Sequence, residues 1–200
     1  MKKVILISTA ALGMALLSAQ ASAITSFTYT YNTGIDNQSD GGSLLNDNEL
    51  GTSNWNGGDY VGFGDAGATA AWASATFTLD AVYDLATIDL YTFNIYNAGE
   101  VTVSTSTDNV TFSTPTQYIL ANTPVGGTST AVTDSLDVSA LADAQYVKID
   151  WFKTVANSGT GNWVFISEVD FDGAAVPEPS SFALIAGMFG LTWVMLRRRA

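Results

Sequence analysis

The side chains that could perform chemistry in this chain are mainly carboxylates, because its 200 residues include no cysteine and no histidine. That composition excludes Ser-His-Asp and Cys-His nucleophile systems, ordinary zinc and haem sites, and redox disulfides. Catalysis by carboxylates alone needs two acids about 5 to 10 Å apart in a cleft. The acids stand nearly all singly, and no long insertion is available to build a cleft. We therefore expect a protein that is not an enzyme, with a carboxylate-dependent hydrolase as one alternative.

Large aromatic residues stand in or beside turns rich in glycine and asparagine, where a core position is less expected. They are Trp55, Tyr96 and Trp163. Three asparagines flank two of them: Asn54, Asn56 and Asn162. Aromatic rings stack on sugar faces, and side-chain amides hydrogen-bond to sugar hydroxyls. The pattern predicts a carbohydrate-binding surface, and the alternative is that these rings cap a core, as Trp151 in a strand pattern is expected to do.

The elements that must position these residues are β-strands. Apolar and polar residues alternate with period two in runs rich in Thr, Val and Tyr, which is typical of half-buried antiparallel strands. Turns rich in Gly, Asn, Asp, Ser and Pro separate the runs. The predicted strands are 27–31, 73–79, 87–96, 101–106, 118–120, 135–138, 146–151 and 164–171. The expected fold is an all-β, jelly-roll-like sandwich of two antiparallel sheets.

The N-terminus has the pattern of a secretory signal peptide. Met1-Lys2-Lys3 is a positive segment, Val4 to Leu17 is apolar, and Ala21-Ser22-Ala23 is a small-x-small cleavage site. Residues 1–23 are therefore predicted to be removed by signal peptidase, so that the mature chain begins at Ile24. One alternative is cleavage after Ala21, and the other is that the segment is not cleaved and anchors the protein in the membrane.

The C-terminus, residues 176–200, carries three ordered features: Pro177-Glu178-Pro179, an apolar run from Phe182 to Leu196, and an arginine cluster from Arg197. This tail resembles the PEP-CTERM sorting signal of Gram-negative bacteria. The resemblance implies a single membrane helix, an exosortase-type protease as partner, and an exported protein of the cell envelope associated with exopolysaccharide. The two prolines keep the motif extended, as a protease substrate must be. A plain C-terminal anchor is the alternative.

The remaining segment, residues 24–175, is long enough for one domain with its own core. It holds two lysines against eighteen acidic residues, a formal net charge of −16. Such a surface repels nucleic acid phosphates and anionic lipids, so we expect neither as a partner of this domain. The charge is compatible with divalent cations.

Residues 45–63 are similar to the opening of discoidin-type domains, the coagulation factor V/VIII type C domains of the galactose-binding-like superfamily. In that family a Leu-Thr-Asp-Gly turn leads to a Gly-Thr segment and a Trp-x-Gly-Phe strand. The likeness continues through Val101 to Phe112, with a Ser-x-Asp-Gly-like turn, and closes with the strands at 144–149 and 166–171. Asn48 and Asn109 stand where the family has glycines, and asparagine tolerates the left-handed backbone that such turns need.

Discoidin-type domains often carry a structural calcium ion near the first of these turns. The resemblance implies Asp47 as the first acid, Thr52 as a hydroxyl ligand, Glu168 as the glutamate that closes the site, and main-chain oxygens near Asn46 and Ser167. Ca²⁺ takes six to eight hard oxygen ligands, which this set can supply. The ion would link a loop to a strand, although loops rich in Asn and Asp also occur without metal.

Taken together, these patterns predict an exported, non-catalytic carbohydrate-binding module with a polysaccharide or other glycan as partner. A purely structural or adhesive matrix protein without a glycan ligand is the main alternative.

Overall fold

In the computed structural model the described residues are 20–33, 40, 43–52, 58–64, 71–121, 131–153, 163–177 and 179–198. They contain nine β-strands and one helix. The elements are β1 (Ser22–Ile24), β2 (Phe27–Tyr31), β3 (Val61–Gly64), β4 (Ala73–Phe93), β5 (Glu100–Ser106), β6 (Thr116–Ile119), β7 (Ala131–Asp137), β8 (Ala144–Phe152), β9 (Trp163–Ala175) and α1 (Pro179–Arg198). Every described strand pair is antiparallel, as the alternation predicts.

The long strand β4 belongs to both layers of the fold. Its first part, from Ala73, pairs with β2 and β8, and β8 continues through β5 to β6. Its second part, to Phe93, pairs with β9 and β7, and β9 carries β1 and β3 on its other edge. The register breaks between Thr78 and Tyr83, where the strand passes from one layer to the other. A bulge of this kind lets a strand turn a corner without losing its hydrogen bonds.

One hydrophobic core fills the space between the layers. Phe77 on the first part of β4 and Phe171 on β9 have ring centroids 5.2 Å apart, and Phe27 packs edge-on against both at 6.0 and 5.1 Å. Trp151 is fully buried in the same cluster. Edge-to-face aromatic contacts across the layers add to the gain from burying apolar area. The expectation of a sandwich core is confirmed, and Trp151 is part of it.

The sandwich has two distinct ends. At one, which we call the terminal end, Tyr83 pairs with both Ala144 and Ala175, and the β1–β9 pair lies close by. At the other, the loop end, Ala73 pairs with Trp151, Phe93 pairs with Ala131, and β9 begins. Both described termini of the domain therefore leave it at the terminal end.

The strand predictions differ from the structure at one main point. The predicted strands 73–79 and 87–96 form a single strand, β4. The acidic residues from Asp80 to Asp84 are typical of a turn, but this segment stays extended, and β4 changes its pairing partner there from β8 to β9. The short strands β1 and β3 lie outside the eight predicted runs. Asn48 and Asn109 have φ angles of 61° and 58°, so the prediction of left-handed asparagines in both turns is confirmed.

The predicted C-terminal helix is present as α1, and it exposes large apolar side chains such as Trp193 and Leu196. Within the described part of the chain, no helix combines the length and apolarity that crossing a membrane requires. The predicted membrane-spanning role of α1 is therefore not supported.

Candidate functional site

A loop formed by residues 43–52 lies along the edge of β9. The Val169 N–H donates to the Leu45 carbonyl at 3.2 Å, and the Asn48 N–H donates to Glu168 Oε2 at 3.0 Å. Further along, the Ala131 N–H donates to the Gly51 carbonyl at 3.1 Å. The loop thus takes the place of a strand between β3 and β1, where β9 would otherwise have an open edge.

Asp40 holds the start of this loop. Its Oδ2 accepts hydrogen bonds from the hydroxyls of Tyr29 and Tyr31 at 2.5 and 2.6 Å, and its Oδ1 accepts from the N–H groups of Ser43 and Leu44. Burial, with a smaller contribution from Asp40, raises the pKa of both tyrosines well above the usual value, so both remain protonated donors. Sequence reasoning missed Asp40, because an isolated acid between turn residues carries no signal of its distant partners.

Glu168 is the most perturbed carboxyl group beside the loop. It is only 1 % exposed, and within the described residues its Oε1 has no hydrogen-bond partner. Burial, together with smaller contributions from the neighbouring carboxylates of Asp170 and Asp47, raises the pKa of Glu168 to about 8. A buried carboxyl beside two other acids must either keep its proton or face a cation. The pairing of Asp47 with Glu168 therefore fits an oxygen-binding cation such as calcium.

Of the other predicted calcium ligands, Asn46 directly precedes Asp47 and Ser167 directly precedes Glu168. The Asn46 amide donates to the Phe27 carbonyl, which directs that side chain toward β2. The Thr52 N–H donates to Asp59, and Ser167 is buried with a hydroxyl that has no described partner. Among the residues that the structure describes, no three acidic side chains converge on one metal position. A metal here would need main-chain oxygens beside the two carboxylates.

A small acidic cavity of about 140 Å³ lies beside Glu168, and Asn46 and Asn48 of the loop also line it. Its carboxylates are Glu168, Asp89, Asp170 and Asp172. Asp89 and Asp170 are directly opposite each other on β4 and β9, and burial together with the charges of Asp89 and Asp172 raises the pKa of Asp170.

At the loop end, a second aromatic cluster packs on the outer side of β4 and β9. Phe93 and Phe165 are buried there, and Tyr60 covers them with its ring centroid 5.2 Å from that of Phe93. Tyr96 lies 5.6 Å and Trp163 6.0 Å from Phe165, and both are only partly buried. The structure therefore brings two of the three predicted sugar-binding rings together. They pack against a small core and also reach the surface.

The other predicted site and processing residues either lie outside the described residues or stand near the two ends of the domain. Trp55, Asn54, Asn56 and Asn162 lie outside the described residues, as does Glu178. Ala21 directly precedes β1, and Ala23 is within β1, paired with Asp172. Pro177 is exposed after β9, and Pro179 opens α1. The cleavage sites stay predictions.

Lys153 joins the two layers across the loop end. It directly follows β8, and its Nζ donates to the Trp163 carbonyl at 3.1 Å and lies 5.4 Å from the centre of the Trp72 ring. Burial lowers the pKa of Lys153 to about 8. Sequence reasoning counted this lysine only toward net charge. The signal that could have found it is its rarity, since the domain has only two lysines.

Comparison with protein-family models and with curated proteins finds no match. Solved structures do match. A CBM32 domain, a carbohydrate-binding module, from a family 31 glycoside hydrolase of Clostridium perfringens is similar with a TM-score of 0.53 at 16% identity, covering 76% of this chain and 94% of that one. The described domain is therefore similar in fold to this CBM32 domain.

Two further similar structures are also Clostridium perfringens modules. One is the family 32 module of NanJ in complex with galactose, with a TM-score of 0.47 at 14% identity, covering 76% of this chain and 99% of that one. The other is a CBM32 of the family 89 glycoside hydrolase in complex with GalNAc-β-1,3-galactose, with a TM-score of 0.49 at 12% identity, covering 75% and 99%. The predicted antiparallel β-sandwich is confirmed by the strand pairing and by the likeness in fold to the first of these modules.

Proposed function

We propose that the domain of residues 24–175 is a non-catalytic carbohydrate-binding module that binds a polysaccharide at the loop end. The observation that carries this proposal is the meeting of Tyr96 and Trp163, partly exposed, on one aromatic cluster of a sandwich with the CBM32 fold. A ring that is held by packing on one side and open on the other is pre-organised to stack on a sugar. The charge of the domain makes nucleic acid an unsuitable partner.

A hydrolase is less well supported. The carboxylates around Glu168 line a cavity of about 140 Å³. Ligand pockets typically measure about 300 to 1,000 Å³, so this cavity is too small for a sugar ring with its linkage. The acids at this position fit a structural or ion-binding role better than catalysis.

The test is binding of the purified chain to a panel of bacterial and plant polysaccharides, followed for single variants. We expect saturable binding that Trp163→Ala and Tyr96→Ala each weaken at least about tenfold, the usual effect of losing one stacking ring. Tyr83→Ala is the matched control, because Tyr83 is a partly exposed tyrosine at the terminal end. Absence of binding to every polysaccharide would favour a structural or adhesive matrix protein.

We further propose a structural calcium ion between Asp47 and Glu168. It would neutralise the two carboxylates and tie the 43–52 loop to β9, which the Asn48 N–H bond to Glu168 already joins. The donor atoms are all oxygens, as Ca²⁺ requires. Its expected effect is on stability, because the ion would hold the loop against β9.

Export to the cell envelope is the last part of the proposal, with signal peptidase and an exosortase-type protease as processing partners. If the tail holds the protein at a surface, the loop end points away from that surface, because both termini leave the domain at the terminal end. Mass spectrometry of the exported protein, with Pro177-Glu178-Pro179 intact or changed to alanines, measures both cleavages. Unchanged tail length and location in the alanine variant would contradict recognition of the motif.

A further inference from the structure

The acidic cavity beside Glu168 is lined by carboxyl groups from two strands. Glu168, Asp170 and Asp172 alternate along β9, so they lie on one face of that strand, and Asp89 of β4 pairs with Asp170. The Glu168 side chain is fully buried, and within the described residues neither its Oε1 nor Oδ1 of Asp89 has a hydrogen-bond partner. Four carboxyl groups in one cavity cannot all ionise unless a cation lies among them.

The predicted N-terminus of the mature chain lies at the same cavity. Ala23 pairs with Asp172 across β1 and β9, Ile24 pairs with Phe171, and both β1 residues line the cavity. Asp170 and Asp172 stand on either side of Phe171 in β9, so their carboxylates flank the position of the Ile24 main chain. The Ile24 side chain is buried in the main core, which holds its main-chain nitrogen at the cavity wall.

Removal of the signal peptide changes the chemistry of this nitrogen. Signal peptidase hydrolyses the Ala23–Ile24 peptide bond with one water molecule; the new Ala23 carboxyl group ionises, and the new amine of Ile24 takes up the proton. A neutral peptide N–H with one donor thus becomes an ammonium with three donors and a positive charge. Within the described part of the chain, no three acidic side chains converge on one metal position, so the spread carboxylates suit divergent N–H donors better than a metal ion.

We infer that the acidic cavity is the binding site of the α-ammonium of Ile24, which forms when the signal peptide is removed and pairs with Asp170 and Asp172. This inference rests on the processing that is proposed above. It is compatible with a calcium ion between Asp47 and Glu168, because Asp47 does not line this cavity. The domain therefore reaches its full stability only after export, when the cavity receives a charge from the chain itself.

The experiment compares two chains with defined starts, one beginning at Ile24 and one at Ser22, and both continuing to the C-terminus. The Ser22 chain keeps the β1 pairs and moves the ammonium two residues away from the cavity. Each chain is combined with Asp172→Asn, with Asp170→Asn, and with Asp143→Asn, which changes an exposed acid outside the cavity. Urea unfolding at pH 7 and low salt, in chelator and in calcium, gives the midpoint for each chain. The rate at which an amine-reactive reagent modifies the N-terminus is measured as well, and it needs no variant.

We expect Asp172→Asn and Asp170→Asn each to lower the urea midpoint of the Ile24 chain in chelator, because an ion pair is lost. In the Ser22 chain the same changes should raise the midpoint, because repulsion among the cavity acids falls. Asp143→Asn should leave both midpoints nearly unchanged. The folded Ile24 chain should react with the reagent at least about tenfold more slowly than the same chain in urea, because ion pairing raises the pKa of its α-amino group.

Equal midpoint changes in the two chains, or a reaction rate in the folded Ile24 chain that matches the rate in urea, would overturn the inference. Midpoint changes that appear only in calcium would overturn it in favour of a metal ion. Because the starts are defined, these results do not depend on where signal peptidase cuts. An exported protein that begins at Ser22 would instead show that the proposed processing fails, and polysaccharide binding is measured separately from both.

Discussion

The charge state of Glu168 gives the sharpest prediction. Its pKa is raised from 4.5 to about 8, so the folded protein holds a proton there that the unfolded chain releases above pH 4.5. The free energy of unfolding without metal must therefore fall as pH rises from about 4.5 to about 8, and level off above that range. At pH 7, which is 2.5 units above the pKa of Glu168 in the unfolded chain, this proton linkage lowers the free energy of unfolding by about 3 kcal/mol. Solvent screening reduces that loss to about 2 kcal/mol.

Replacing Glu168 with glutamine removes this penalty. A glutamine oxygen can still accept the Asn48 N–H bond, and its amide can donate to Asp47. We expect Glu168→Gln to raise the free energy of unfolding in chelator by about 2 kcal/mol at pH 7, and to remove most of the pH dependence between 5 and 8. Asp143→Asn, which changes an exposed acid away from the loop, is the matched control.

Calcium should stabilise the wild type much more than it stabilises Glu168→Gln. An ion that binds only the folded state stabilises it by about 2.7 kcal/mol at one hundred times its dissociation constant, so the wild type gains stability while Glu168→Gln gains little. Urea titration followed by tryptophan fluorescence, in chelator and in calcium at several pH values, measures both effects. The reasoning fails if the variant is less stable than the wild type in chelator at pH 8, or if calcium stabilises both equally.

Three further predictions concern the turns and loops that hold the site, and thermal unfolding measures each. Gly51→Ala should destabilise the fold by about 2 kcal/mol, because its new Cβ would overlap the ring of fully buried Tyr60, and a smaller loss would mean that the loop can shift. Asn109→Ala should lower the free energy of unfolding by about 1 kcal/mol and Asn109→Gly by almost nothing, because Asn109 has a left-handed backbone with φ of 58°. Equal losses in the two variants would show that backbone strain is not the cause. Asp40→Ala should cost about 3 kcal/mol, since two tyrosine hydroxyls and two N–H groups lose their acceptor, and an unchanged melting temperature would contradict that role.

Local patterns in the chain were sufficient for most of the strands and for the two asparagine turns. Alternation records which face of a strand is buried, and asparagine at a turn records a left-handed backbone, so both are visible in a few neighbouring residues. The same reasoning divided β4 in two, because the acids from Asp80 to Asp84 look like a turn when their partners are unknown. It could not show that β8 and β9 supply those partners in succession.

The sequence by itself determined the class of fold and the chemistry available: an all-β domain without cysteine or histidine, with aromatic residues near turns and a strongly acidic composition. Tertiary structure alone decided which residues meet. Asn48 and Glu168 are 120 positions apart and share a hydrogen bond, Tyr96 and Trp163 meet on Phe165, and Lys153 reaches from β8 to β9. The physical reason is that periodicity specifies the buried face of each strand, whereas the neighbour across that face depends on how the whole chain packs.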